Sequence, residues 1–420
     1  MSAVEQNKQV RKRRVFYIPG YDPIHPRRYR ELYRKEGAAQ AKISGYQIDL
    51  KPKTTKGPYG WHVAGQMDGA QVEADFEVLV WSDIVRDSMS HGIAATYLQL
   101  VRTAWVYIGT GALARLMRLR KGPVIAALYP VLFLLVQLLV CLAAGLGLAW
   151  ALGLLSQALL SLFTSPQNGA LLGTLVGALT WPLMTWAGLR WFRKLDNKFY
   201  AYYLMHDYAY SARSKGSNPP ELEARMAEFT ATIRAALNGD ADEVLVIGHS
   251  SGAHLAVSIL SDLLREGLPD RSPALNLLTL GQVVPMVSFL PQAWRLRADL
   301  AFLSAQDQIA WVDVTAPGDG CAFALCDPVG VTGVAGPDKK WPLVLSAAFS
   351  QTLSPETWAR LKRRFFRLHF QYLCAFDRPN YYDYFRITAG PMTLRDRFRG
   401  QEPSVSRIER AVSKFVSTKP

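Results

Sequence analysis

Cysteine is scarce, with only Cys141, Cys321, Cys326 and Cys374 in a chain of 420 residues. Four thiols so scattered cannot make a disulfide framework. Cys321 and Cys326 have neither C-x-x-C spacing nor a second pair to complete a structural zinc site. Reduced thiols in a reducing compartment are therefore expected, and nothing in the spacing calls for a metal or a cofactor. The N-terminus also lacks an apolar core: Met1 to Arg14 is polar and ends in Arg11-Lys12-Arg13-Arg14, which argues against a cleavable secretory signal.

The largest absence is charge. From Gly122 to Leu189 there is no Asp, Glu, Lys, Arg or His. Val124 to Phe163 has only Gln137, Gln157, Cys141, Ser156 and Ser161 for polar relief. A second apolar run, Ala170 to Leu189, follows the turn-like segment Thr164-Ser165-Pro166-Gln167-Asn168-Gly169. A bilayer crossing needs about 20 apolar residues, so the stretch can hold two. A soluble helix would need a polar face, and none is supplied here.

Both flanks are basic, with Arg115, Arg118, Arg120 and Lys121 before the stretch and Arg190, Arg193, Lys194 and Lys198 after it. The positive-inside tendency puts both in the cytoplasm, which makes a transmembrane hairpin with its Pro166 turn on the far side. Trp181, Trp186, Trp191, Phe192, Phe199, Tyr200, Tyr202 and Tyr203 cluster at the exit, as interfacial belts do. Elsewhere 48 Lys and Arg outweigh 34 Asp and Glu, for a formal charge of +14, and half the chain is hydrophobic. That balance excludes a disordered chain and suggests an anionic partner. The lipid bilayer fills that role, because no nucleic-acid-binding motif is present.

What is present after the hairpin is a candidate for chemistry. Val244 to Ile247 reads as a buried strand, and the residues after Gly252 read as a helix through Leu264 with Leu255, Ile259 and Leu263 on one face. Between them lies G-x-S-x-G, as Gly248, Ser250 and Gly252. On a strand-to-helix turn such a motif lifts the serine hydroxyl into a cleft. Pro220 to Leu237 supplies a helix before the strand. In this order of elements the segment resembles the nucleophile elbow of lipases and esterases of the α/β-hydrolase superfamily.

The resemblance implies a mostly parallel sheet flanked by helices, with the hairpin inserted into it. Residues 1–110 would hold the oxyanion loop and early strands, 111–198 the membrane hairpin, and 199–420 the elbow, acid and histidine. It also implies the chain order nucleophile, acid, histidine. Among seven histidines, His25, His62, His91, His206 and His249 precede Ser250, and His254 follows too closely; His369 remains. The acid should follow a strand. Asp319, in the turn after Ile309 to Val314, is the first choice, Asp327 the alternative and Asp313 the third. Asp262, Asp270, Asp299 and Asp338 read as surface or turn acids.

The oxyanion hole is expected from the N–H groups of Ser251 and Tyr21, the latter in Pro19-Gly20-Tyr21 after the strand Val15 to Ile18. Asp22, Pro23 and His25 would rim the pocket. Tyr46 to Leu50, Phe76 to Trp81, Asn276 to Leu280 and Pro342 to Ala347 read as further strands, and Tyr29 to Ala41 and Pro355 to Arg364 as helices. The polar tail from Arg395 reads as loosely ordered.

These residues imply a cytoplasm-facing serine hydrolase of a bacterial inner membrane, acting on a small-molecule or lipid ester. Acyl transfer and thioester cleavage would use the same groups. A non-catalytic membrane scaffold with the hydrolase fold is the alternative. A transporter is disfavoured, because the apolar stretch carries no ionisable residue.

Overall fold

A computed structural model describes residues 9–53, 56–89 and 92–420, so residues 1–8 of the polar N-terminus and His91 lie outside the described residues. Short runs of β-branched and apolar residues form eight strands: β1 (Lys12–Ile18), β2 (Gln47–Pro52), β3 (Gly60–Met67), β4 (Ala70–Val78), β5 (Glu243–His249), β6 (Ala274–Leu280), β7 (Ile309–Thr315) and β8 (Leu343–Ser346). They form one sheet in the order β2-β3-β4-β1-β5-β6-β7-β8. The neighbours from β4 to β8 run parallel, while β2 and β3 join antiparallel at one edge. The protein is thus α/β, with a mostly parallel sheet flanked by helices.

Parallel strands are covered on both faces, which is why β5 and β7 are buried at every position. Val15, Tyr17, Leu245, Ile247, Leu278, Leu280, Val312 and Val314 share a core with Tyr29 and Tyr33 of helix Arg27–Ser44. The alternate residues Phe16, Val244, Val246, Leu277 and Trp311 are equally buried. Helix Gly252–Arg265 packs on β5, β1 and β6, with helix Pro220–Leu237 beside it. Pro220 at the first helical position, with Glu221 and Glu223 in the first turn, starts the latter helix as its sequence predicts.

Several expectations are corrected. The basic run leads into β1, which begins at Lys12. Arg13 is buried against Glu243 at 2.5 Å and donates to the carbonyls of Gly390 and Met392 at 2.8 and 2.6 Å. Glu243 also accepts from Asn276 Nδ2 and from the Leu394 amide, at 2.6 and 2.7 Å. Strand β4 spans Ala70–Val78 rather than Phe76 to Trp81, and helix Pro355–Leu361 ends before Arg364. Asp299 is no surface acid; it is buried and held by Arg265 at 2.6 Å. The tail from Arg395 is tied down. Ile408 exchanges backbone bonds with Leu325 (2.7 Å) and Asp327 (2.9 Å), and the Ser404 amide donates to Val344 at 2.9 Å.

By contacts the chain divides into two units. The first holds the sheet: the chain to Asp87, Val106–Val124 and Ser214–Pro420. The second holds Ser88–Trp105 and Ile125–Arg213. The contacts thus place 88–105 and 199–213 with the apolar stretch, which the sequence reading ran from 111 to 198.

Two helices, Lys121–Leu160 and Pro166–Lys194, are long and apolar enough to cross a membrane, and only 22% and 11% of their most apolar stretches are buried. They pack through small residues. A Cβ on Gly173 would lie 2.6 Å from the Gly153 carbonyl, so these backbones can meet only because glycine is there. Trp181, Trp186 and Trp191 are exposed, whereas Tyr202 packs with Leu100 and Leu134.

Candidate active site

Strand β5 runs directly into Ser250, which has φ 57° in the left-handed region before helix Gly252–Arg265. For a residue with a Cβ this conformation costs about 1–2 kcal/mol, and such strain gathers at functional turns. The surroundings over-determine it. The Ser250 amide donates to the Leu280 carbonyl at the end of β6 (2.9 Å). A Cβ on Gly252 would fall 2.2 Å from the Ile18 carbonyl, so only glycine lets the end of β1 pass beneath the helix. Gly248 is similarly hemmed in by Ala253, 2.7 Å from where its Cβ would be.

The loop after β1 lies over the serine. The Cβ position of Gly20 is 2.9 Å from Ser250 Cβ and 3.3 Å from its Oγ. Tyr21, expected to aim its N–H at an oxyanion, donates that N–H to the Ser251 hydroxyl at 2.8 Å. Both proposed oxyanion residues are thus beside the serine, with the Tyr21 amide engaged by its neighbour. Trp81 braces the loop by donating its indole N–H to the Pro19 carbonyl (2.9 Å). Asp22 is buried and accepts from the Ile24 amide at 2.9 Å and from the Tyr29 hydroxyl, so it serves the loop's shape. His25 is exposed.

Asp319 follows β7 and is buried. Its Oδ1 accepts the Cys321 amide at 2.8 Å, and its Oδ2 accepts from Tyr372 at 2.9 Å and faces His369 Nδ1 at 2.7 Å. Burial pushes this carboxyl up, but the His369 imidazole, the Cys321 amide and the Tyr372 hydroxyl outweigh it and hold the group below the usual carboxylate range. Tyr372 is fixed in turn by the Ala316 amide, which donates to its hydroxyl at 3.0 Å.

The His369 ring reaches the serine's neighbourhood through β6. Leu280 holds the Ser250 amide, and the next residue, Gly281, has its Cβ position 3.1 Å from His369 Cε1. The His369 carbonyl accepts from His249 Nε2 at 3.0 Å. Burial, and then the His369 charge, push the His249 pKa down to about 3, so His249 stays neutral and acts as a structural donor. Burial alone takes His254 to about 4.

The other two acids are engaged elsewhere. Asp327 caps helix Pro328–Thr332, accepting the Val329 and Gly330 amides at 2.9 and 3.1 Å, and pairs with Lys339 at 2.7 Å. Asp313 accepts from Thr279 at 2.6 Å, and burial pushes its carboxyl up to about 8. Of the three candidates, Asp319 is the one in contact with His369.

The sequence reading missed Tyr372 and the backbone role of His249. His369 and Tyr372 are three residues apart, a helical spacing that lets both reach one carboxylate. His249 was visible inside the motif itself. One further group belongs here: the donor atoms of Asp319, Cys321 and His369 all lie within 4.8 Å of one another, so these residues could hold a metal ion. Comparisons with protein-family models, with curated proteins and with solved structures return no match.

Proposed function

We propose that this chain is a membrane-anchored serine hydrolase of the α/β-hydrolase kind that cleaves carboxylic esters. The observation that carries the reading is the strained Ser250 on the strand-to-helix turn after β5, with Asp319, after β7 at the same carboxyl edge of the sheet, bonded to His369 at the end of helix Phe365–His369. That edge is where open α/β sheets place their reactive groups.

Ser250 Oγ attacks the ester carbonyl while His369 Nε2 takes its proton. Asp319, kept ionised, holds Nδ1–H and stabilises the imidazolium that forms. The alkoxide of the tetrahedral intermediate takes hydrogen bonds from Ser251 N–H and, once its own hydroxyl partner turns away, from Tyr21 N–H. His369 then protonates the departing alcohol. Water, deprotonated by His369, cleaves the acyl-enzyme to a carboxylic acid and restores Ser250.

The apolar helix pair supports anchorage in a bilayer as a transmembrane hairpin, and its basic flanks favour a catalytic unit facing the cytoplasm. A lipid ester fits that location. Acyl transfer or thioester cleavage would run through the same acyl-enzyme. The engaged Tyr21 amide favours a non-catalytic scaffold.

Labelling of the detergent-solubilised chain with a fluorophosphonate tests the reading. Wild type should label, while Ser250→Ala and His369→Ala should lose the signal. No labelling of folded wild type, or labelling that survives Ser250→Ala, would sink it.

A further inference from the structure

We propose that Asp319, Cys321 and His369 form a reversible binding site for a thiophilic divalent cation, zinc above all, and that its occupancy switches the serine chemistry off. The consequence for catalysis depends on the function proposed above; the site itself does not.

The ligand chemistry selects the ion. One carboxylate, one imidazole and one thiolate make an O, N, S set, which suits zinc and cadmium. Magnesium and calcium prefer oxygen alone. The distances are close to what such an ion needs. Metal–ligand bonds of about 2.0–2.3 Å in a tetrahedron place ligand atoms roughly 3.3–3.8 Å apart. Here all the donor atoms already lie within 4.8 Å, and the His369–Asp319 pair is at 2.7 Å. Binding would part the His369–Asp319 pair from 2.7 Å by roughly 0.6 Å, which replaces its hydrogen bond with two bonds to the ion.

Two of the three ligands are oriented in advance by outer contacts, as metal ligands usually are. Asp319 is held by Tyr372 and by the Cys321 amide, and the His369 backbone is held by His249. Asp319 and His369 are buried while Cys321 is only partly covered, so the thiol is the ligand nearest to solvent.

The protons account for the switch. In the resting pair Nδ1 carries the proton toward Asp319 and Nε2 is the free base. A cation bound at Nδ1 displaces that proton, and the neutral ring then carries its hydrogen on Nε2, while the Cys321 thiol gives its proton to solvent. An imidazole in that tautomer donates a hydrogen bond and cannot accept the Ser250 proton. No oxidant or further reactant is involved, and removing the ion restores the base.

The experiment titrates free zinc against fluorophosphonate labelling of the full chain in detergent, for wild type and Cys321→Ser, each normalised to its own zinc-free rate. Wild-type labelling should fall at least about tenfold in micromolar zinc and recover with a chelator, while Cys321→Ser should need about 10–100 times more zinc. Indifference to zinc, or equal sensitivity of the two proteins, overturns the proposal. Cadmium gives a readout independent of labelling. A thiolate-to-cadmium ultraviolet band should appear in wild type and be absent in Cys321→Ser, whose other thiols are unchanged. If wild type never labels, the hydrolase reading fails, and the cadmium band alone decides the metal site.

Discussion

Strands β1 and β5 carry buried ionisable groups at both ends, and the two ends are built on opposite principles. At the amino end Arg13 and Glu243, both with no exposed side chain, satisfy each other and four surrounding backbone or amide groups. At the carboxyl end the same strands lead into a strained Ser250 and a loop glycine pressed against it, on the sheet edge where Asp319 after β7 is bonded to His369 of helix Phe365–His369. One end holds fixed charges whose partners never change. The other holds an acid–imidazole hydrogen bond near a strained turn. Burial of charge by itself therefore does not tell the two ends apart; backbone strain does.

The comparison is sharpest where the two ends should fail differently. Asp319→Asn leaves the His369 ring in the wrong tautomer and should cut the fluorophosphonate labelling rate by about 10³–10⁴, without a matching loss of folded protein. Arg13→Met should do the reverse. It strands Glu243 without its cation and should cost roughly 3–5 kcal/mol in denaturant unfolding, while the molecules that remain folded label at the wild-type rate. Adding Glu243→Leu to Arg13→Met should recover most of that loss. A slowed labelling rate in folded Arg13→Met would mean that the ends are coupled.

Ser250→Gly isolates the strain. It should abolish labelling yet stabilise the chain by about 1 kcal/mol, since glycine adopts the left-handed conformation without penalty. A destabilised Ser250→Gly would show that the serine side chain contributes to packing instead.

The smallest effect comes from a third cluster, on the antiparallel edge. His62 lies 2.8 Å from Asp75 and 2.5 Å from Glu73. Burial would lower its pKa, but the two carboxylates outweigh burial and raise it. A raised folded value stabilises the fold fully below the unfolded pKa of about 6.5, and the gain is lost as pH rises through the folded value. Wild type should therefore exceed His62→Gln in stability by more at about pH 5.5 than at about pH 8.5, with a difference under about 1 kcal/mol.

Much of this was legible in the sequence where local pattern and tertiary role agree. Val244 to Ile247, Pro220 to Leu237 and the helix after Gly252 are each specified by their own residues. Strand β3 was missed because Gly65 interrupts its apolar alternation of Trp61, Val63 and Met67. The signal was in the turn: Asp68 and Gly69, with φ 52° and 76°, form the two-residue Asp-Gly link that joins hairpin strands. Arg13 could not be read as a core residue, because four consecutive cations look like a solvated run; its partners lie 230 and more residues away. Tyr372 and His369 reach Asp319 only through folding, across 53 and 50 residues, whereas the Cys321 amide meets it locally, two residues on.

The position of β1 gives the chain a timetable. It sits between β4 and β5, yet its β5 partner is made 230 residues later, after the whole apolar stretch. During synthesis β1 can pair with β4, while its other edge stays open with unbonded amides, a form prone to wrong pairing. The elbow serine arrives with β5, the acid and histidine later, and Ile408, which clasps the segment after the acid, almost last. Every apolar residue from Gly122 to Leu189 has left the ribosome before the first atom of the proposed nucleophile exists. On the proposed function, a nascent molecule therefore meets its bilayer first and gains its reactivity second.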